Sequence, residues 1–255
     1  MDNLFAWCIV PFDSKERSPE DRIEMLSKLG FNKYAYDWRQ KHLTGMATEW
    51  AIAEKNGIEV SAVWMWLDSE QDSIGSLSAS NEKVLTAIDE SGLKTQLWVS
   101  LHANFFEALS HEAAMNSGAK MIEYLCERAD NLNVKVGLYN HGDWFGEVQN
   151  QIDIIMALPN CDLGIIYNFH HAHHQLESYK DIVDAMVPYL WAVNLNGMRK
   201  EGPKILPIGQ GDMEKQMIDI LLEKGFTGPF GILGHIEDAD VEVVLKNNLK
   251  GLSKL

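Results

Sequence analysis

The sequence has few of the features that mark several classes of protein. It contains three cysteines, Cys8, Cys126 and Cys161, and this odd, widely spaced set argues against a disulfide framework. Lys and Arg number 22 against 37 Asp and Glu, and the net charge of −15 disfavours nucleic acid or a membrane surface as a partner. No apolar run reaches transmembrane length, and the first strand-like run begins at about Leu4, too early for a signal peptide. We therefore expect a reducing, cytoplasmic setting.

The chain does contain apolar material for a large core, together with clear signals for helix ends. Its hydrophobic fraction is 46%, with 8 Trp, 7 Tyr and 9 Phe. The segment Ser18-Pro19-Glu20-Asp21 combines an N-cap, a proline at the first helical position and acidic residues in the first turn. Glycines follow the helical patterns where a C-terminal cap is expected, at Gly30, Gly57, Gly92 and Gly225.

Eight strand-like runs alternate with eight helical segments. The runs are Phe5–Pro11, Lys33–Trp38, Glu59–Trp66, Gln96–Leu101, Lys135–Tyr139, Leu163–Tyr167, Trp191–Leu195 and Phe230–Leu233. Eight such units predict a parallel sheet closed into a (β/α)8 TIM barrel, with a single domain over residues 1–255. The alternative, an open doubly wound sheet, would carry a glycine-rich phosphate loop after its first strand, where this chain has Pro11-Phe12-Asp13-Ser14.

Several predicted strands stop abruptly at polar side chains, which the C-terminal end of a barrel would gather into one pocket. VKVGLY leads into Asn140 and His141, and CDLGIIY leads into Asn168 and a run of histidines. Aromatic faces among amides and carboxylates suit a small carbohydrate, and the scarcity of cations at this end favours an unphosphorylated sugar. The candidate substrate-binding residues are Asp37, Trp66, His102, Asn140, Asn168, Asn194, Asn196, Lys204 and His235.

Four motifs resemble those of the xylose isomerase-like TIM-barrel family, which includes sugar isomerases, sugar epimerases and the endonuclease IV barrels. They are YNHGDWFGE (139–147), GIIYNFHHAH (164–173), ILPIGQGDM (205–213) and GPFGILGH (228–235). The resemblance runs over nearly the whole chain. It implies a sugar-acting enzyme with a divalent metal at the barrel mouth, held by three carboxylates and a histidine.

The chain departs from that ligand pattern at most positions. Tyr139 stands where the family has a glutamate, Asn168 replaces an aspartate and Asn194 replaces a histidine. The last glutamate falls at Gly234 or His235. Neutral groups in place of carboxylates remove the charge that a hard cation needs, so we expect the inherited metal site to be lost.

The histidines at the strand ends leave two kinds of chemistry open. His141, His171 and His235 could form a rebuilt zinc site, in which case zinc would be the cofactor. Without a metal, His141 and His171 are the first candidates for acid and base, because imidazole titrates near working pH. His171 is the family histidine that this chain retains in the motif after Asn168. Asparagines at the strand ends would orient hydroxyls and polarise the carbonyl.

The expected activity is therefore isomerisation or epimerisation by proton transfer next to a carbonyl. The alternatives are a carbohydrate-binding barrel without catalysis and a lyase or hydrolase acting on a modified glycoside, with Tyr139 or a histidine as the acid. The identity of the sugar and the formation of a homo-oligomer stay open.

Four further residues have alternative roles. Asp37 is either a pocket carboxylate or a salt-bridge partner of Arg39. Glu147 is predicted to cap a helix, with ligand binding as the alternative. His173 and His174 are predicted to lie at a solvated loop tip, with a metal-ligand role as the alternative.

Overall fold

A closed barrel of eight parallel strands confirms the predicted architecture. The computed structural model describes residues 3–141 and 143–255. Each strand pairs with the next along the chain, and the eighth pairs with the first. The strands are β1 (Leu4–Trp7), β2 (Lys33–Tyr36), β3 (Glu59–Leu67), β4 (Gln96–Leu101), β5 (Lys135–Tyr139), β6 (Leu163–Asn168), β7 (Leu190–Leu195) and β8 (Phe230–Leu233).

Helices follow every strand, and the described residues form nine α-helices rather than the eight helical segments predicted. The extra one arises because the connection between β5 and β6 holds a single turn, α5, before its main helix, α6. The helices are α1 (Pro19–Leu29), α2 (Met46–Lys55), α3 (Ala79–Ser91), α4 (His111–Leu132), α5 (Asp143–Gly146), α6 (Val148–Ala157), α7 (Tyr179–Met186), α8 (Glu214–Glu223) and α9 (Val241–Leu252). None of these helices combines the length and apolarity that a membrane span requires.

The predicted helix-end signals act as expected in α1. The Ser18 side chain accepts a hydrogen bond from the Asp21 amide at the N-terminus, and Pro19 occupies the first turn. Gly30 adopts the left-handed conformation, with φ of 79°, and donates its N–H to carbonyls of the last turn. Local sequence therefore sets both ends of this helix.

The first strand is shorter than predicted, and the difference bears on the site. β1 ends at Trp7 instead of Pro11, because Cys8 adopts a left-handed conformation with φ of 56° that breaks the extended backbone. Ile9 and Val10 remain buried outside the strand, which explains why an apolar run was read as continuous strand. β2 likewise ends at Tyr36 rather than Trp38.

Large aromatic side chains packed against alanines fill the inside of the barrel. Phe5, Trp7, Trp98 and Tyr139 are almost fully buried, and the rings of Trp98 and Tyr139 stack with centroids 6.2 Å apart. Alanines on neighbouring strands leave room for these rings, at Ala35, Ala62 and Ala192. The interior is thus a packed core, and the cavity described below lies at the C-terminal ends of the strands.

Candidate functional site

A cavity of about 80 Å³ lies at the C-terminal ends of the strands. Six of the eight strand ends contribute to it. Its lining residues are Trp7, Cys8, Phe12, Asp37, Arg39, Trp64, Tyr139, His141, His170, His171 and His235. Five of the predicted site residues, Asp37, Tyr139, His141, His171 and His235, therefore come together around one space.

Tyr139 sits at the centre of a buried hydrogen-bond network. The Trp7 indole Nε1 donates to its hydroxyl oxygen at 3.0 Å, and the Asn168 Nδ2 donates to the same oxygen. Burial holds the pKa of Tyr139 well above its usual value, so the group is a neutral phenol. Because the two N–H groups use both lone pairs of the oxygen, the phenolic proton remains for a further acceptor.

The residues at the inherited ligand positions do not fit a divalent cation. The Tyr139 oxygen is surrounded by N–H donors, and the Asn168 Oδ1 accepts the backbone N–H of His170 at 3.2 Å. These two former ligand positions are therefore satisfied by neighbouring protein groups, and neither supplies negative charge. The third position, Asn194, is also neutral.

The rebuilt zinc site proposed for His141, His171 and His235 also lacks support from the geometry. In the described parts of the chain, no three His, Cys, Asp or Glu side chains are arranged as ligands of one metal ion. The imidazoles instead pack ring against ring, with centroids 4.3 Å apart for His141 and His171 and 3.7 Å apart for His170 and His171.

The histidines of the cavity are neutral at ordinary pH. Burial lowers the pKa of His171 far below its usual value, with further lowering from the neighbouring His170 and His141. Burial also lowers the pKa of His170 to about 3, and those of His141 and His235 fall as well. These lowered pKa values disfavour proton exchange by His141 and His171 near neutral pH, because burial and neighbouring imidazoles both disfavour protonation.

Asp37 is the cavity group that titrates in that range. It is 2% exposed, and its Oδ1 accepts the Val10 backbone N–H at 3.3 Å. Its Oδ2 has no hydrogen-bond partner among the described residues. Burial raises its pKa to about 6, against the opposing effects of the Val10 amide and the Arg39 charge.

The Arg39 side chain does not neutralise Asp37 by direct contact. Its Nη1 donates to the Trp38 carbonyl oxygen, and its guanidinium carbon lies 5.2 Å from the Phe12 ring centroid and 5.8 Å from that of Trp64. Of the two roles considered for Asp37, the structure favours the pocket carboxylate over the ion pair.

Seven predicted binding residues lie outside the lining of this cavity. The Asn140 amide bonds the backbone N–H and carbonyl of Asn168 and so ties β5 to β6. Asn196 donates to the Lys204 carbonyl, and Lys204 is exposed. His102 packs edge-on against Trp66, with centroids 5.5 Å apart. Asn194 and Asn168 are buried within the barrel.

Trp66 lies in a second, larger cleft beside the cavity, which we call the outer cleft. It is lined by Trp38, Arg39, Gln40, Trp64, Trp66, Asp68, Gln71, Asp72, Ser78, Ser80, Asn81 and His141.

Trp7 and Cys8 are cavity residues that sequence reasoning missed, since both read as core residues of an apolar strand. The alternation of β1 points Trp7 inward, and the left-handed backbone at Cys8 places that residue at the cavity. The prediction that Glu147 caps a helix is wrong for its side chain. Its carboxylate instead binds His174 and Gln175.

Comparison with known proteins agrees with the fold. The sequence model of the family described as xylose isomerase-like TIM barrel matches residues 23–251. The 3-keto-D-glucoside 4-epimerase of E. coli superimposes with a TM-score of 0.73 at 14% identity, over 100% of both chains. A D-psicose 3-epimerase solved in the presence of D-fructose gives 0.71 at 14%, over 99% of this chain and 97% of its own.

A third similar structure is that of a probable dehydratase. The probable 3-DHS dehydratase of petrobactin synthesis from Bacillus anthracis gives a TM-score of 0.70 at 16% identity, over 99% of both chains. At these identities the likeness shows the fold alone. No curated protein sequence matches the chain.

Proposed function

The chain belongs to the xylose isomerase-like TIM-barrel family, and we propose that it catalyses proton transfer next to the carbonyl of an unphosphorylated sugar or keto-sugar without using the family's metal. The observation that carries this proposal is Asp37. It is a buried carboxylate with one oxygen unpartnered among the described residues, in a cavity otherwise lined by aromatic and imidazole groups, Cys8 and the Arg39 guanidinium, which makes no ion pair with it. It supplies the ionisable group that the replaced metal ligands no longer provide.

In the proposed reaction, Asp37 removes the proton from the carbon next to the substrate carbonyl. A pKa of about 6 lets the carboxylate accept a proton at neutral pH and return it. The C–H electron pair forms the new C=C bond, and the carbonyl π electrons move to oxygen. Isomerisation follows when the hydroxyl proton on the original carbon passes to the other enediol oxygen and Asp37 returns the abstracted proton to the former carbonyl carbon. Epimerisation needs a proton delivered to the opposite face of the original carbon by a second group; the Tyr139 hydroxyl donates it and is reprotonated from Asp37 through solvent.

The negative charge that develops on the substrate oxygen needs hydrogen-bond donors. The Tyr139 hydroxyl is held by Trp7 and Asn168 in a position to donate its remaining proton. Neutral imidazoles add N–H donors, and the buried Nδ1 of His141 has no partner in the described residues. In this scheme, His141 and His171 stabilise charge rather than exchange protons.

The preference for an unphosphorylated substrate rests on Glu214. In TIM barrels, phosphate groups are frequently bound by the loops after the seventh and eighth strands. Here the Glu214 Oε1 accepts the backbone N–H groups of Gly209 and Gly211, both at 2.9 Å, and its Oε2 accepts that of Met198 at 3.4 Å. A carboxylate of the chain itself thus fills the backbone nest in which a phosphate would bind.

Two of the similar structures accord with this substrate class, since one is a 3-keto-D-glucoside 4-epimerase and the other a D-psicose 3-epimerase. A second candidate, elimination of water, follows from the same groups. After Asp37 has removed the proton, Tyr139 could protonate a departing hydroxyl on the next carbon. A third candidate, carbohydrate binding without catalysis, is favoured by the loss of charge at Tyr139, Asn168 and Asn194.

Deuterium exchange tests the proposal. The protein is incubated in D2O with D-fructose or D-psicose, and NMR follows deuterium incorporation next to the carbonyl. We expect exchange in the wild type and a loss of at least about 100-fold in Asp37→Asn. The matched control is Asp162→Asn, an exposed carboxylate that pairs with Lys135 at the opposite end of the barrel, and it should exchange at the wild-type rate.

Three outcomes would decide between the candidates. Exchange that disappears with EDTA and returns with Mn²⁺ would contradict the metal-independent scheme. Loss of water from the sugar would indicate the elimination reaction. Sugar binding in calorimetry without any exchange, in both wild type and Asp37→Asn, would indicate the binding barrel.

A further inference from the structure

The cavity that holds Asp37 opens beside the outer cleft, and the two share Arg39, Trp64 and His141. The volume of the cavity is about 80 Å³ and that of the outer cleft about 480 Å³. The cavity has room for roughly six water molecules at about 10–15 Å³ each, which is the scale of one small ring. The site is therefore several times larger than its reactive part requires.

The outer cleft has the surface of a ring-binding site. Trp64 and Trp66 are two residues apart on β3 and therefore point to the same face of the strand. Their ring centroids lie 5.8 Å apart at an interplanar angle of 38°. Both are only partly buried, so aromatic faces remain accessible. Such faces stack against the C–H face of a sugar or against another aromatic ring.

Polar groups at the boundary between the two cavities are available to a ligand. The Trp64 Nε1 and the His141 Nδ1 are buried, and neither has a hydrogen-bond partner in residues 3–141 and 143–255. Both residues line the cavity and the outer cleft. A linking oxygen and its neighbouring hydroxyls at this boundary would satisfy them.

The carboxylates of the outer cleft are already engaged within the protein. The Asp72 Oδ1 accepts N–H groups of Ser78 and Asn81, and its Oδ2 accepts the Asp68 backbone N–H. Asp68 in turn accepts the Asn104 side chain at 2.8 Å. With these carboxylates engaged, and with the Arg39 side chain bonded to the Trp38 carbonyl, the cleft suits a neutral ring better than a cation.

We propose that the substrate is a keto-glycoside, a glycoside whose reacting ring carries a ketone on a carbon other than the anomeric one. That ring occupies the Asp37 cavity while a second neutral ring stacks on Trp64 and Trp66 in the outer cleft. This inference rests on the proposed function for the reacting sugar and adds the group attached to it. The free monosaccharide would fill only the smaller of the two spaces.

Calorimetric titration with three probes tests the inference: D-glucose, cellobiose and 4-nitrophenyl β-D-glucoside. We expect at least one of the two glycosides to bind at least 10-fold more tightly than glucose. Comparing cellobiose with 4-nitrophenyl β-D-glucoside shows whether the second ring is a sugar or an aryl group. In Trp66→Ala this preference should fall to about twofold or less, and Trp66→Phe should retain most of it, because an aromatic face remains.

A second variant provides an independent test in case Trp66→Ala does not fold. Ser80→Leu places bulk in the outer cleft, whereas Ser27→Leu makes the same change on the exposed face of α1. The first should abolish the glycoside preference and the second should leave it intact. Equal binding of all three probes, no binding of any, or a preference that survives both Trp66→Ala and Ser80→Leu would overturn the inference. Failure of deuterium exchange alongside a retained preference would instead count against the proposed chemistry.

Discussion

Two buried carboxylates in neighbouring regions of the barrel have different surroundings. Glu49 on α2 receives the Arg22 Nη1 at 2.5 Å and the Tyr34 hydroxyl at 3.2 Å. Asp37 after β2 receives only the Val10 backbone N–H, and its second oxygen has no partner among the described residues. Burial raises the pKa of both. Desolvation is thus common to the two, and pairing separates a carboxylate that supports the fold from one that is available for chemistry.

Removing the charge of Glu49 should produce the largest loss of stability. In Glu49→Gln the Arg22 guanidinium, in a residue 4% exposed, would be left without its counter-charge, which typically costs about 3–5 kcal/mol. Urea unfolding at pH 7 measures the effect. Glu54→Gln on the exposed face of the same helix is the control and should change the free energy of unfolding by less than about 0.5 kcal/mol. A loss below about 1 kcal/mol in Glu49→Gln would contradict the structural role.

The corresponding change at Asp37 should have the opposite sign. The pKa of Asp37 is raised from 3.8 to about 6, so its ionised form is less favourable in the folded than in the unfolded chain. A shift of about two units corresponds to roughly 3 kcal/mol at most. Asp37→Asn should therefore be more stable than the wild type by about 1–3 kcal/mol at pH 8, while losing activity.

The pH dependence of that gain distinguishes its cause. The cost of ionised Asp37 is fully present above pH about 6, declines between pH 6 and 4, and vanishes below the unfolded value of 3.8. Urea unfolding of both proteins between pH 5 and 8 should show the two free energies approaching each other at the acid end. A gain that does not vary with pH would point to better packing instead. The exchange activity of the wild type should rise with pH through about 6.

The contrast between the two carboxylates also shows what the sequence could predict. The barrel was predictable because its signals are local: strand runs, the Ser18 cap and the stop at Gly30 all act within a few residues. β4, β5 and β8 have the predicted bounds. The predicted β1 was too long because Ile9 and Val10 are buried although they lie outside the strand. An apolar sequence indicates burial but does not show whether the backbone is extended.

The site was predictable only in outline. The rule that strand ends converge correctly brought Asp37, Tyr139, His141, His171 and His235 together. Protonation states could not be derived, because they depend on ring-to-ring packing and burial in three dimensions. The pairing of Glu49 with a residue 27 positions away likewise depends on how α1 packs against α2.

Tyr139→Phe tests the contribution of a neutral group in the Asp37 cavity, because it removes only the phenolic hydroxyl. The Trp7 indole N–H and the Asn168 amide would lose their shared acceptor, which costs about 1–3 kcal/mol of stability. Deuterium exchange should fall by about 100-fold if the hydroxyl stabilises the developing oxyanion. The control is Tyr167→Phe, a buried strand tyrosine whose hydroxyl makes only a 3.4 Å bond to Gln175. Equal exchange in both variants would remove Tyr139 from the mechanism.

The smallest effects should separate the histidines that follow β6. His171 lies against Tyr139 and His141, with ring centroids 5.6 Å and 4.3 Å away, and lines the cavity. We expect His171→Ala to weaken sugar binding by about 1–3 kcal/mol, because polar groups of the sugar buried in the cavity would lose a hydrogen-bond partner. His173 and His174 instead bind the Arg199 carbonyl and the Glu147 carboxylate near the surface, so their alanine variants should change binding by less than about 0.5 kcal/mol. Calorimetric titration of the three variants with the sugar that the wild type binds measures this difference. Equal losses at all three positions would mean that the whole histidine segment acts as one unit, whereas no loss at His171 would place the ligand away from β6.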